Sequence, residues 1–300
     1  MDLTLVNQFL ARRVLYTFNG RQPEPYLITM ANVGNRWEYV KGFEVSDALA
    51  PETYIVVRID GRGFKRFTDE HSFAKPVDAR GLALMNAAAA AVMREWGEIV
   101  FAYGHSDEFS FALPPRATVF GRRASKLATG IASLFAAEYV RLWAPIMGAD
   151  CPLLRAPAFD ARAISYPRLR HVADYFRWRS ADAHVNALYN CVFWALVQKT
   201  GLTTGAAHDK LKGTVSEVKH ELLYGMGINY AKEPAATRRG TLFARGSTPA
   251  LLAAAGLATQ NDEREGLKPT PDLPRSVTLS HADLAGDVAL LDCFFSQHEV

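Results

Sequence analysis

Residues 98–113, EIVFAYGHSDEFSFAL, are two apolar, aromatic runs joined by a polar, glycine-containing turn. That is the pattern of a β-hairpin, and its position between two long helical segments leaves few folds open. Upstream, TYIVVRID (residues 53–60) is short, β-branched and stopped by a glycine, which predicts a buried strand. Residues 80–96 are rich in Ala, Leu and Met without proline and predict a largely buried helix. A second long helix is expected over 118–143, with its charges gathered at the start in GRRASK. FDARAISYP (159–167) predicts a fourth strand, closed by Pro167.

The order is therefore β-α-β-β-α-β, an α+β arrangement of the ferredoxin-like, split-βαβ kind. Right-handed crossovers leave few ways to wind such a sheet, and in the usual one the first and third strands are antiparallel neighbours. The end of the first strand then lies beside the start of the third, and those two points carry Asp60 and Asp107. After the sheet, residues 172–200 predict a helix rich in aromatic and polar side chains. Residues 201–223 predict a helical hairpin broken at Gly213, and 246–275 a loop or arm of Ala, Pro, Thr and charge. LLDCFF (290–295) is apolar and is expected to dock.

Two carboxylates on adjacent strand ends can hold two magnesium ions about 4 Å apart, the geometry of in-line nucleotidyl transfer. Magnesium favours hard oxygen ligands and few protein carboxylates. In DGRGFKRF, Gly61 and Gly63 permit close approach of the backbone to metal or phosphate. Each Asp-Gly or Ser-Asp pair alone reads as an ordinary turn; the strand order gives the pair its meaning. Glu108 falls on the opposite side of the strand from Asp107 under regular pairing, as a supporting carboxylate or a solvent-facing one. Lys75 in HSFAKPVD, with Arg122, Arg123 and Lys126 in RRASK at a helix start, could neutralise a triphosphate. A solvated helix face explains RRASK equally. His184, Asn186, Tyr189 and Asn190 in HVNALYN spread over more than one helix face and fit either RNA contact or a buried polar network. Neither a GxSxG elbow nor a P-loop is present.

Composition sets looser bounds. A net charge of +3 permits a basic face for nucleic acid without demanding one, and 49% hydrophobic residues suffice for a sizeable core. The three cysteines, Cys151, Cys191 and Cys293, are far apart and offer neither a zinc pair nor a disulfide framework. No apolar run approaches a membrane span, so no membrane partner is expected. Residues 1–29 carry Arg12 and Arg13 with one acidic residue, Asp2, which fits a mitochondrial transit peptide or a dispensable extension. The domain reading is 1–29 as this extension, 30–167 as the catalytic core and 168–300 as a helical, C-terminal region. A cytoplasmic or nuclear location, or a mitochondrial one directed by the leader, follows.

Several blocks in order closely resemble the tRNA(His) guanylyltransferase family. They are WEYVKGFE, VVRIDGRGFKRF, HSFAKPVDARGLALMN, YGHSDEFSF, RRASKLATGIASLFAAEYV, FDARAISYP, WRSADAHVNALYNCVFWAL and RRGT, over residues 30–241 with a weaker tail at 281–287. The resemblance implies a core like the palm of DNA polymerases. It implies that Asp60, the Gly61 carbonyl and Asp107 bind two magnesium ions and that Glu108 assists. Asp60, Gly61, Arg62, Gly63, Phe64 and Lys65, together with Ser106 and Asp107, would line the nucleotide site. Ala74, Lys75, Asp78 and Lys126 would hold the activating nucleotide, and His184, Asn186, Tyr189 and Asn190 would handle tRNA. The implied reaction uses ATP to adenylylate the 5′-phosphate of tRNA(His), which the 3′-hydroxyl of GTP then attacks; pyrophosphate is removed last. A homotetramer is implied as well. Ala187 stands where the family commonly has a second Asn, and Lys65 where it often has His, so fine contacts to tRNA and nucleotide are open. Three other readings compete: a template-dependent polymerase repairing tRNA 5′ ends, a GTP cyclase-like palm enzyme, and a non-catalytic tRNA-binding protein.

Overall fold

The computed structural model describes residues 37–245 and the backbone of 277–280. The leader 1–29, the arm 246–275, the tail 281–287, the LLDCFF run and Cys293 lie outside the described residues. The chain forms two compact units, 1–46 and 47–300. In the first, the described part is a 3-10 turn, Glu38–Phe43, closed by a Lys41–Glu38 ion pair.

The second unit is a mixed α/β structure around one antiparallel sheet of six strands, in the order β4-β1-β3-β2-β5-β6. The strands are β1 (Tyr54–Gly61), β2 (Phe101–His105), β3 (Glu108–Leu113), β4 (Phe159–Tyr166), β5 (Thr241–Arg245) and β6 (Val277–Ser280). The helices are α1 (Phe64–Glu70), α2 (Ala79–Glu95), α3 (Ala124–Met147), α4 (Leu169–Thr200), α5 (Thr204–Leu211), α6 (Ser216–Gly225) and α7 (Ala235–Arg239).

Strand β1 is apolar on both sides because both sides are covered. Ile55, Val57 and Ile59 face one core with Leu84, Met93, Phe135 and Tyr139 of α2 and α3. Tyr54 and Val56 face a second core with Val172, Ala173 and Phe176 of α4. On that second side the alternation runs Tyr54, Val56, Arg58, Asp60, so the face turns from apolar to charged at the strand's end. As the element order implied, β1 and β3 are antiparallel neighbours, and Asp60 stands opposite Glu108.

Four features differ from the sequence reading. The residues after Asp60 form a helix, α1, anchored by buried Phe64 and Phe67. The second long helix begins at Ala124 and runs to Met147; residues 119–122 are a 3-10 turn with Phe120 and Arg122 at positive φ. The post-sheet helix begins earlier, at Leu169. The sheet also continues beyond β2 through β5 and β6, which the pattern of their short sequences did not disclose. The helical hairpin is present as α5 and α6, with Gly213 at φ 71 between them. Among the described residues, no helix is long and apolar enough to cross a membrane. Cys151 and Cys191 are free thiols.

Candidate active site

The end of β1 and the β2–β3 turn meet through the backbone. The Gly61 N–H donates to the Asp107 carbonyl at 3.0 Å, and the Arg62 N–H to the Ala158 carbonyl at 2.8 Å. The approach is close enough to require glycine: a Cβ on Gly61 would stand 2.6 Å from Phe64 Cγ and 2.9 Å from Asp107 Cβ. Asp107 therefore sits in a two-residue turn with Ser106, not on the strand, and Ser106 takes positive φ to make it. The Ser106 hydroxyl donates to Asp107 Oδ1 at 3.1 Å. Beneath the site, the rings of Phe64, Phe67, Tyr139 and Phe159 pack with centroids 5.0–6.2 Å apart. This apolar floor withdraws solvent from one side of the carboxylates.

The electrostatics follow. Burial, and then the charge of Asp60, push the Asp107 carboxyl above its ordinary value. Burial also raises Glu108, against Arg179 and Arg58, which lower it. Glu108 shares a sheet face with Asp60, its register partner; Asp160 of β4 is Asp60's partner on the other side. Like charges opposite one another in a sheet are unfavourable unless something offsets them. Arg179 Nε lies 2.8 Å from Glu108, and Arg58 Nε 3.8 Å. Among the described residues no three His, Cys, Asp or Glu side chains converge as a metal cage. The set here is sparser: two carboxylates and a main-chain carbonyl at Gly61, all hard oxygens, which suits magnesium. The crowding of negative charge around Asp107 is what a cation would relieve.

The remaining expected residues divide. Arg62, Gly63 and Lys65 are exposed beside the site, Lys65 on the first turn of α1. Lys75 bonds to α1, with Nζ 2.8 Å from Asp69 and 3.4 Å from the Thr68 hydroxyl; Gln198 of α4 donates to the Lys75 carbonyl at 3.2 Å. Asp78 is buried and caps α2. It accepts from Ala74 N and from the Arg80 backbone and side chain. Burial alone would raise its carboxyl, but those donors outweigh it and the net shift is downward.

The RRASK segment is corrected. Arg122 is buried: its guanidinium donates to carbonyls of Leu49, Ala50, Thr53, Pro115 and Ala117. Arg123 and the Ser125 N–H both engage Asp47, so the α3 start already holds a carboxylate. Hydrogen bonds from Ser125 and then Arg123 keep Asp47 well below its ordinary range. Lys126 is exposed, its Nζ 6.0 Å from the Phe120 ring centroid.

On α4, His184, Asn186 and Asn190 are exposed and Tyr189 is half-buried. Asn186 donates to Asp182, Tyr189 OH bonds His208 Nδ1 at 2.8 Å, and His184 packs edge-on against Tyr230. Ala187 is buried. A cleft of about 490 Å³ among α4, α5 and α6, lined by Leu196, Thr200, Lys210 and Leu222, contains none of the carboxylates. The sequence reading missed Arg58, Arg179 and His105. Strand parity with Asp60 was the available signal for Arg58; half-buried His105 bonds the Thr237 carbonyl, and loss of solvent around its ring lowers its pKa.

Comparison with known proteins gives the same direction. A family model described as tRNAHis guanylyltransferase matches residues 37–167, and one described as Thg1 C terminal domain matches 170–285. A tRNA(His) guanylyltransferase of Schizosaccharomyces pombe is 49% identical over 212 residues, 70% of this chain and 80% of its own length. The crystal structure of tRNA(His) guanylyltransferase from Saccharomyces cerevisiae superposes with a TM-score of 0.66 at 44% identity, over 69% of this chain and 91% of that one. A bacterial tRNA(His) guanylyltransferase-like protein in complex with ATP superposes with a TM-score of 0.55 at 25% identity, over 71% and 86%.

Proposed function

The chain belongs to the tRNA(His) guanylyltransferase family, and from that premise we propose that Asp60, Gly61 and Asp107 form its nucleotidyl-transfer site. It is a nucleotidyltransferase of tRNA processing, acting on tRNA(His) with ATP and GTP. The observation that carries the site assignment is the Gly61–Asp107 backbone contact at 3.0 Å, which brings both aspartates to one place.

In this reading the sheet is a polymerase-palm sheet of the ferredoxin-like type, and α4 with the helices after it forms the tRNA-handling region. Asp60, the Gly61 carbonyl and Asp107 would hold two magnesium ions, with Glu108 assisting. Bound there, the ions would acidify the attacking hydroxyl and screen the triphosphate. The chain's own groups do the rest. The Phe64–Tyr139–Phe159 floor excludes water from the reacting phosphates. Arg62, Lys65, Lys75 and Lys126 offset nucleotide charge, while Ala74 and Asp78 shape the loop that carries Lys75. Ser106 fixes the Asp107 carboxylate by its hydrogen bond. His184, Asn186, Tyr189 and Asn190 contact tRNA, and the chain acts as a tetramer.

Three steps follow. The tRNA 5′-phosphate attacks the α-phosphate of ATP and releases pyrophosphate. The GTP 3′-hydroxyl attacks the resulting 5′-adenylylated end and releases AMP. Hydrolysis of the new triphosphate leaves a 5′-monophosphate. The test is to omit one nucleotide at a time: with 5′-phosphorylated tRNA(His), ATP alone gives the adenylylated end, and ATP with GTP gives a product one nucleotide longer. Extension of 5′-truncated tRNAs in preference to full-length tRNA(His) would overturn the assignment.

A further inference from the structure

Glu108 leaves the turn that carries Asp107, and its carboxylate meets two arginines from different elements. Arg179 of α4 places Nε 2.8 Å from Oε1, and Arg58 of β1 places Nε 3.8 Å from Oε2. Both side chains are largely withdrawn from water, at 11% and 14% exposure. Neither Nε–H is aligned as a hydrogen bond, so attraction between charges and not bond directionality sets these contacts.

Arg179 is held from two further sides. Its Nη2 lies 2.6 Å from Asp182 Oδ2, one helical turn on, and its guanidinium stacks 4.2 Å from the Trp178 ring centroid. Asp182 in turn accepts from Asn186. A continuous path thus runs Glu108–Arg179–Asp182–Asn186, from the strand ends to the helix that carries HVNALYN. One guanidinium joins two carboxylates along it, and Arg58 adds a second positive charge beside Glu108. Without Arg179, Glu108 would keep Arg58 at the longer distance and would face Asp60 with little to offset the repulsion.

We propose that Arg179 is a positioning residue: it fixes the Glu108 carboxylate for the Asp60–Asp107 site and ties that placement to α4. The proposal rests on the reading of Asp60 and Asp107 as the nucleotidyl-transfer site. An arginine that merely glues α4 to the sheet would change stability alone; one that positions Glu108 must act through Glu108.

The experiment compares wild type, Arg179→Gln, Arg179→Lys, Glu108→Gln and the Arg179→Gln/Glu108→Gln double variant. It reads kcat and KM for 5′-phosphorylated tRNA(His), Mn²⁺ binding by electron paramagnetic resonance, and thermal melts. Arg179→Gln should lower kcat and Mn²⁺ affinity by roughly 10–100-fold, the usual effect of removing a group that orients the surroundings of a metal site. The KM for tRNA should stay within about twofold, Arg179→Lys should recover most of the loss, and the double variant should match Glu108→Gln within about twofold. Losses that multiply in the double variant, a change confined to the tRNA KM, or unchanged Mn²⁺ affinity would each overturn the proposal. If Arg179→Gln does not fold, the same cycle is run with Arg179→Lys and Glu108→Asp, and independence of those two losses refutes the coupling. A wild type that binds Mn²⁺ through this network but extends no tRNA refutes the functional reading and leaves Arg179's role standing.

Discussion

Gly61→Ala perturbs the contact on which the site depends. An added Cβ would lie 2.6 Å from Phe64 Cγ and 2.9 Å from Asp107 Cβ, against about 3.5–4.0 Å for carbon atoms in ordinary contact. The Phe64 ring must therefore retreat by about 1 Å and the Asp107 turn by about 0.6 Å to restore that contact. Phe64 has little room: it is 6% exposed and packs at 5.0 Å against both Phe67 and Phe159. Forcing such a group costs about 1–3 kcal/mol. At about 2–4 °C per kcal/mol for a unit of this size, the melt should fall by roughly 2–12 °C. The displacement of Asp107 matters more for rate, because a misplacement near 1 Å costs about 100-fold. Single-turnover extension of 5′-phosphorylated tRNA(His), read beside a thermal melt, measures both. Gly97→Ala, where an added Cβ meets nothing within 4 Å, is the matched control and should be neutral. A Gly61→Ala enzyme that extends tRNA at the wild-type rate would refute the argument that this close approach sets the geometry of Asp107.

Arg122→Gln strips buried carbonyls of their donor and should cost about 1–3 kcal/mol, the penalty of a buried acceptor left unsatisfied; the KM values for ATP and GTP of the folded fraction should not move, and a selective rise in either would restore Arg122 to the nucleotide site. Lys126→Gln should do the reverse, raising nucleotide KM with little change in melting. Asp47→Asn should lower the melting temperature at neutral pH, because the folded-state pKa of Asp47 is depressed. That contribution is present above the unfolded value of 3.8 and is lost as pH falls from there toward the folded value, so the gap between variant and wild type should close on acidification. A pH-independent gap would contradict the capping account. Removing divalent ions with EDTA should abolish extension, and Mg²⁺ should restore it; full activity in EDTA counts against the metal site.

Much of this was legible in the chain. The VVRID run and the EIVFAYGHSDEFSFAL hairpin read as strands, and the β-α-β-β-α-β order makes β1 and β3 neighbours, which puts the end of Asp60's strand beside the turn of Asp107. What escaped depends on partners distant in sequence. GRRASK looks like a charged helix start, yet Arg122 is claimed by carbonyls of Ala50, Thr53 and Ala117 that no local pattern announces. Helix α1 was hidden behind a glycine-rich segment that also suits a phosphate loop; only its two buried phenylalanines distinguish it. Strand β5 is five residues long and owes its conformation to pairing with β2. Arg58 and Arg179 read as isolated charges until the fold brings them to one carboxylate.

Asp60, Gly61 and Asp107 are proposed to hold the metal pair of a 5′-end nucleotidyltransferase. Anomalous diffraction from crystals grown with Mn²⁺ and GTP tests it most directly. Two peaks are expected about 4 Å apart between the Asp60 and Asp107 carboxylates, with the triphosphate against them. Peaks elsewhere, or GTP bound away from these two side chains, would contradict it.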